Sequence, residues 1–150
     1  MKLYLIGSLE NPNVPMVAAQ LRDVCSEVFD CWHAAGPKAD RHWEEYERSR
    51  GHSFQQAVKN YPAQHVFNYD RSHLNRCDGG VLLMPAGKSG HLELGYMQGQ
   101  GKPTWILFQE EPQRWDVMLA GATICMSMEE LLESVASAQQ GISYPACIWP

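Results

Sequence analysis

Residues 77–108 alternate in a way that admits few folds. A short, unbroken apolar run, Val81 to Met84, lies between a glycine pair and Pro85. That is the pattern of a strand buried on both faces. Residues 85–90 form a loop with two glycines and Lys88. From Ser89 a helical spacing begins, with Leu92, Tyr96 and Met97 on one face. Gly99 and Gly101 end it, and Pro103 bars its continuation. A second apolar run covers 104–108. Strand, glycine-rich loop, helix and strand make a βαβ unit. Such a unit requires a parallel sheet with its working loops at the carboxyl ends of the strands. Glu93 falls in the early turns of that helix, near the mouth of any crevice above the sheet.

The rest of the chain extends this plan. Residues 3–6 are a compact apolar run closed by Gly7-Ser8, and Asn11-Pro12-Asn13 is turn chemistry. Pro15 suits a first helical turn, and Val17, Ala18, Leu21 and Val24 follow at helical spacing. A short strand is expected over 27–31. A helix is expected over 63–77, with Val66, Phe67, Tyr69 and Leu74 facing inward. A short helix or turn over 114–120 and a strand over 122–125 come next. Ser127 and Glu130 then form a capping box before Leu131, Leu132 and Val135. The resulting expectation is a single α/β domain over 1–150. It is a three-layer sandwich on a five-stranded parallel sheet in the order 2-1-3-4-5, with a crevice between loops 7–13 and 85–90.

Residues 32–60 interrupt that rhythm as an insert. Asp40 and Ser53 are its candidate helix caps. Long connections of this kind are lids, binding elements or plain peripheral packing. The apolar tail over 142–150 is expected to dock, on its own subunit or on a neighbour.

Composition narrows the function classes. The net charge is −5 and no lysine- or arginine-rich patch is present, which argues against a nucleic-acid polymer as partner. No apolar stretch approaches membrane-spanning length, so no membrane partner is expected. Five scattered cysteines without a C-x-x-C pair read as free thiols in a reducing cytoplasm. The histidines show no close ligand pair, and no metal or other cofactor is expected. Lys88-Ser89 invites a phosphate-loop reading. That motif needs a glycine where Leu82 stands, so an ATPase is excluded. The start of the 89–99 helix retains backbone N–H groups able to meet an anion. By itself Glu93 is either an outward surface residue or a buried functional one. Paired with a second carboxylate it would suit glycosidic-bond chemistry.

A wider set of residues resembles one family. Tyr4-Leu5-Ile6-Gly7-Ser8-Leu9, Asp70 followed by Cys77-Asp78, and Ser89-Gly90-His91-Leu92-Glu93-Leu94-Gly95-Tyr96 followed by Gly101-Lys102-Pro103 are similar to nucleoside 2-deoxyribosyltransferases. That family includes the 2′-deoxynucleoside 5′-monophosphate N-glycosidases. The resemblance implies a flavodoxin-like fold and cleavage or transfer at the N-glycosidic bond of a deoxyribonucleoside or its monophosphate. It implies Glu93 as the nucleophile at C1′, Asp70 as the second acid that assists base or sugar, and Tyr4 as the residue positioning the nucleophile. Gly7, Ser8, Leu9 and Asn11 would meet the nucleoside. Gly87, Lys88, Ser89 and Gly90 would shape the place of sugar or phosphate. The resemblance implies a nucleoside or nucleotide as small-molecule partner and a homodimer or larger homo-oligomer, with the 113–120 segment and the tail as candidate contacts. Two departures stand out. The loop before Glu93 has no aspartate to read the base, and Gly87 stands where the monophosphate hydrolases place a serine. Two other readings stay open: a non-catalytic nucleotide-binding module on the same fold, and an FMN binder. The second is disfavoured by the Ser/Thr/Gly-poor loop 8–13.

Overall fold

The computed structural model describes residues 1–141. The 142–150 tail, with its expected docking, lies outside the described residues. Five parallel strands form one sheet in the order 2-1-3-4-5, as expected. They are β1 (Lys2–Ile6), β2 (Glu27–Phe29), β3 (Gly79–Leu83), β4 (Thr104–Leu107) and β5 (Thr123–Cys125). The helices are α1 (Val14–Arg22), α2 (Ala39–Ser49), α3 (Phe54–Ala57), α4 (Tyr61–Arg76), α5 (Lys88–Gly99) and α6 (Met128–Gln139). Short 3₁₀ turns cover Cys31–Ala35 and Val117–Gly121. Among the described residues no helix is long and apolar enough to cross a membrane.

Strand alternation splits the core in two. Leu3, Leu5, Val81, Leu83, Trp105 and Leu107 face α1 and α6. Tyr4, Ile6, Leu82 and Ile106 face the opposite layer, with Leu74 of α4 and Leu94 and Met97 of α5. Register pairs Tyr4 with Gly80 and Ile6 with Leu82, so the carboxyl ends of β1 and β3 lie side by side. Asp78 ties down the other edge: its Oδ2 accepts the Lys2 N–H at 2.7 Å.

Three local expectations are corrected. The inner stripe of α5 is Gly90, Leu94 and Met97, whereas Leu92 is 76% exposed and Tyr96 lies at the surface. Counting apolar residues misses a stripe that contains a glycine. A Cβ on Gly90 would stand 3.0 Å from Leu82 Cδ1 and 3.2 Å from Ile6 Cγ2, so the missing side chain is what lets α5 sit close. Gly80 gives Met97 its room in the same way, since a Cβ there would lie 2.5 Å from its Sδ.

The second correction concerns α4. Val66, Phe67 and Tyr69 are exposed, and the buried face is carried by Leu74 and the adjoining Cys77. Sixteen helical residues reach about 24 Å, against roughly 16 Å for the five residues of β1. Since α4 runs antiparallel to the strands and ends at their amino edge, about its first 8 Å, roughly residues 61–65, pass beyond the carboxyl edge.

The third correction is the start of α2. Lys38 holds the N-cap position, and Asp40 lies inside the first turn without a side-chain cap bond. Ser53 does cap α3, in a reciprocal box with Gln56. Between these helices the buried Glu47 accepts from His52 Nδ1 at 2.6 Å and Asn60 Nδ2 at 2.8 Å. The His52 bond, then the Asn60 bond, holds this carboxyl below the usual range.

Candidate active site

Three elements bring their polar side chains to one place on the α4/α5 side of the sheet. Tyr4 comes from β1, which points it away from the Leu3/Leu5 core. Asp70 comes from the middle of α4, and Glu93 from the second turn of α5. Burial pushes Glu93 up to about 7, and the Asp70 charge adds to the rise. Burial also raises Asp70, opposed by a hydrogen bond from the Tyr4 hydroxyl. Tyr4 is pushed far above the phenol range by burial, then by the Glu93 and Asp70 charges. It therefore remains a neutral donor beside two carboxyls. An aromatic wall flanks them. Phe29 lies 4.8 Å from the Tyr4 ring and stacks on His73 at 3.8 Å, while the Tyr69 hydroxyl meets Cys31 Sγ at 3.6 Å.

An open cleft of about 460 Å³ lies at the carboxyl edge. Three loops build it: Ser8 and residues 10–13 after β1, residues 85–87 after β3, and Gln109 after β4. This is the switch point, where the chain leaves β1 in opposite directions across the sheet. The 3₁₀ turn after β2 braces the first loop. Trp32 Nε1 donates to the Leu5 carbonyl at 2.8 Å, and His33 Nε2 donates to the Asn11 carbonyl at 3.1 Å. Asn13 Nδ2 donates to Gln109 Oε1 at 3.2 Å and joins the first loop to the third. Asn11 is buried, its Oδ1 accepts the Asn13 N–H at 3.0 Å, and its Nδ2 has no partner.

The residues expected from sequence therefore fall into three groups. Glu93, Asp70 and Tyr4 converge. Ser8, Asn11 and Gly87 line the cleft. The others stand outside its lining. Gly7 packs beside the Trp32 ring and Val14, and Gly90 is buried against Leu82 and Ile6. Leu9 is half-buried, and Lys88 and Ser89 are exposed at the start of α5. Helix α5 joins acid pair and cleft, since Glu93 follows Gly87 by six residues, or about 9 Å along the axis. Sequence reasoning missed Trp32, His33, Asn13, Gln109 and the Phe29–His73 stack. Gln109 had a usable signal: it follows the β4 run by two positions, where parallel sheets carry their ligand contacts. Among the described residues no cluster of three or more His, Cys, Asp or Glu side chains is arranged to hold a metal ion.

The sequence matches no protein-family model and none of the curated proteins. The structure does find a likeness. It is similar in fold to a 2-deoxyribosyltransferase. That solved protein, from the psychrotolerant bacterium Bacillus psychrosaccharolyticus, is described as a biocatalyst for the synthesis of antiviral and antitumoral nucleosides. The TM-score is 0.61 over 88% of this chain and 90% of that one, at 18% identity. At that identity the likeness is one of fold, the flavodoxin-like sandwich.

Proposed function

We propose that this protein cleaves or transfers at the N-glycosidic bond of a deoxyribonucleoside or its 5′-monophosphate, with Glu93 as nucleophile. The observation that carries the reading is the meeting of Glu93, Asp70 and Tyr4, from three separate elements, beside the switch-point cleft of a fold shared with a 2-deoxyribosyltransferase. A carboxylate that burial has raised to about 7 is less solvated, and more reactive toward an electron-poor carbon, than a surface glutamate.

In this reading the ionised Glu93 attacks C1′. The bond from C1′ to the base nitrogen breaks, and the base leaves with the bonding pair and takes a proton from solvent. A second base or a water then attacks C1′, gives up a proton to solvent, displaces Glu93 and restores the carboxylate. Asp70 accepts from a hydroxyl of the sugar or an N–H of the base. Tyr4 donates into the acid pair and holds the geometry, which matters because small displacements of reacting atoms are costly in rate.

The test is base release from a panel of 2′-deoxynucleosides and their monophosphates, with and without an acceptor base, followed by chromatography. Glu93→Ala should lower kcat by at least about 10³-fold. Release that survives Glu93→Ala sinks the nucleophile. Release from no substrate at all favours a binding module.

A further inference from the structure

We propose that Trp32 is a positioning residue for the glycosidic reaction: its indole N–H, bound to the Leu5 carbonyl, closes a ring of contacts that fixes Tyr4 against Asp70. This rests on the reading above and adds a residue to it.

The ring consists of three pairs of sequence neighbours: Tyr4-Leu5 in β1, Cys31-Trp32 in the 3₁₀ turn and Tyr69-Asp70 in α4. Trp32 Nε1 donates to the Leu5 carbonyl at 2.8 Å, and Cys31 Sγ and the Tyr69 hydroxyl share a hydrogen bond at 3.6 Å. The Tyr4 hydroxyl donates to Asp70 and completes the circuit. The first two bonds span 27 and 38 residues of chain. Side chains, and not a strand ladder, therefore tie the turn to both strand and helix.

Sheet geometry explains why a side chain is needed here. The Met1 carbonyl accepts the Ser26 N–H and the Lys2 carbonyl accepts the Asp78 N–H, so alternation along β1 turns the Leu5 carbonyl to the β2 side. The β1–β2 ladder ends at the Tyr4–Phe29 pair, one residue short of it. Trp32 supplies the donor that the ended strand does not. An indole turns about only two torsions, so a packed one holds its N–H still. Among the described residues Trp32 is the one partly buried apolar side chain that packs against both core clusters. The turn is anchored on either side of Cys31-Trp32, by the Arg22–Asp30 ion pair before it and by His33 on the Asn11 carbonyl after it. Without the indole N–H the end of β1 is held to the turn by packing alone, and the Leu5 carbonyl loses this partner. Tyr4 and Asp70 then lose their fixed separation beside Glu93. Small displacements of this kind act on the rate of the bound substrate, so kcat carries the loss.

The experiment replaces Trp32 with β-(3-benzothienyl)alanine, which keeps the shape of the indole and lacks its N–H. Base release from the panel above is measured with thermal melting alongside. The kcat should fall about tenfold or more while KM stays within about twofold, and melting should remain one cooperative transition of full amplitude. Cys31→Ala cuts the same ring, so the double replacement should be little slower than the worse single one. Cys31→Ser keeps a hydroxyl for Tyr69 and should stay near the unaltered rate. A kcat unmoved by the isostere, a rise in KM in place of the fall in kcat, a loss no larger than the loss of folded protein, or single effects that multiply in the double replacement each overturn the proposal. Failure of the parent reading looks different. Base release missing from the unaltered protein defeats the glycosidic chemistry, and this role for Trp32 with it.

Discussion

The two faces of the sheet are built from alternate residues of the same strands, yet they differ in kind. On the α1/α6 face, Leu3, Leu5, Val81, Leu83 and Leu107 pack against Val14, Val17, Leu21, Leu131 and Val135. The Trp105 indole there is satisfied within the core, its Nε1 donating to Ser134 Oγ at 2.8 Å. On the α4/α5 face the neighbour of Leu3 and Leu5 is Tyr4, and its companions are two carboxyls raised by burial. One face is optimised for packing. The other holds charge where charge is poorly solvated, a cost a fold accepts only where the group has work to do. Stability is therefore expected to come mostly from the first face, and the second should lose stability whenever its acids ionise.

Three measurements break or sharpen that contrast. The largest effect belongs to the closed face. Leu5→Ala should cost about 3 kcal/mol, read as a lower denaturation midpoint, because Leu5 is fully buried in the core under α1 and α6. A loss under about 1 kcal/mol would mean that the contrast is misplaced.

Next comes the sign test on the open face. Glu93 rises from 4.5 to about 7 on folding, so the folded state holds its proton more tightly than the unfolded chain. Below pH 4.5 both states are protonated and no penalty exists. As pH climbs through about 7 the stability is lost, and above it the full penalty remains. Glu93→Gln should therefore stabilise the protein at pH 8 by on the order of 2 kcal/mol and have little effect at pH 4. Equal melting temperatures for the two proteins at both pH values would show that burial does not strain this carboxyl. The same proton should appear in catalysis. The kcat/KM of the unaltered protein should climb as pH rises through about 7 and then level off.

The smallest effect is at the buried Trp105–Ser134 contact of the closed face. Ser134→Ala leaves the Trp105 N–H without its acceptor and should cost about 1 kcal/mol in chemical denaturation. A stabilising result would show that this face tolerates no polar group at all.

Much of the scaffold is legible in the residues alone. Runs such as 81–84 and 104–108 are too short and too apolar for anything but buried strands, and the glycine-rich loop between them forces the crossover. Glu93 and Tyr4 could be named because the motifs around them resemble those of the 2-deoxyribosyltransferases. The cleft was less readable. Trp32 and His33 lie in an insert without periodicity, and their importance is a matter of what they reach: the Leu5 and Asn11 carbonyls, more than 20 residues away in sequence. The exposed apolar residues of α4 misled for a related reason. Val66 and Phe67 are apolar residues of a helix, yet both are more than half exposed, because tertiary packing and not apolarity sets which side of α4 is covered.

By itself, then, the sequence determined the element order, the parallel sheet and its 2-1-3-4-5 arrangement. Those follow from local hydrophobic runs, turn residues and the handedness of crossovers. Tertiary structure alone decided which helix faces are buried, how far α4 overhangs the sheet, and that Asp70 reaches Tyr4 and Glu93. It also decided that Glu10 and Asn11 share a cleft with Gln109. Each of these depends on lengths and close approaches between segments far apart in the chain, such as the glycine at 90 that brings α5 down onto β1 and β3. The raised pKa of Glu93 belongs with them, since desolvation is a property of what surrounds a carboxyl and not of the residues beside it in sequence.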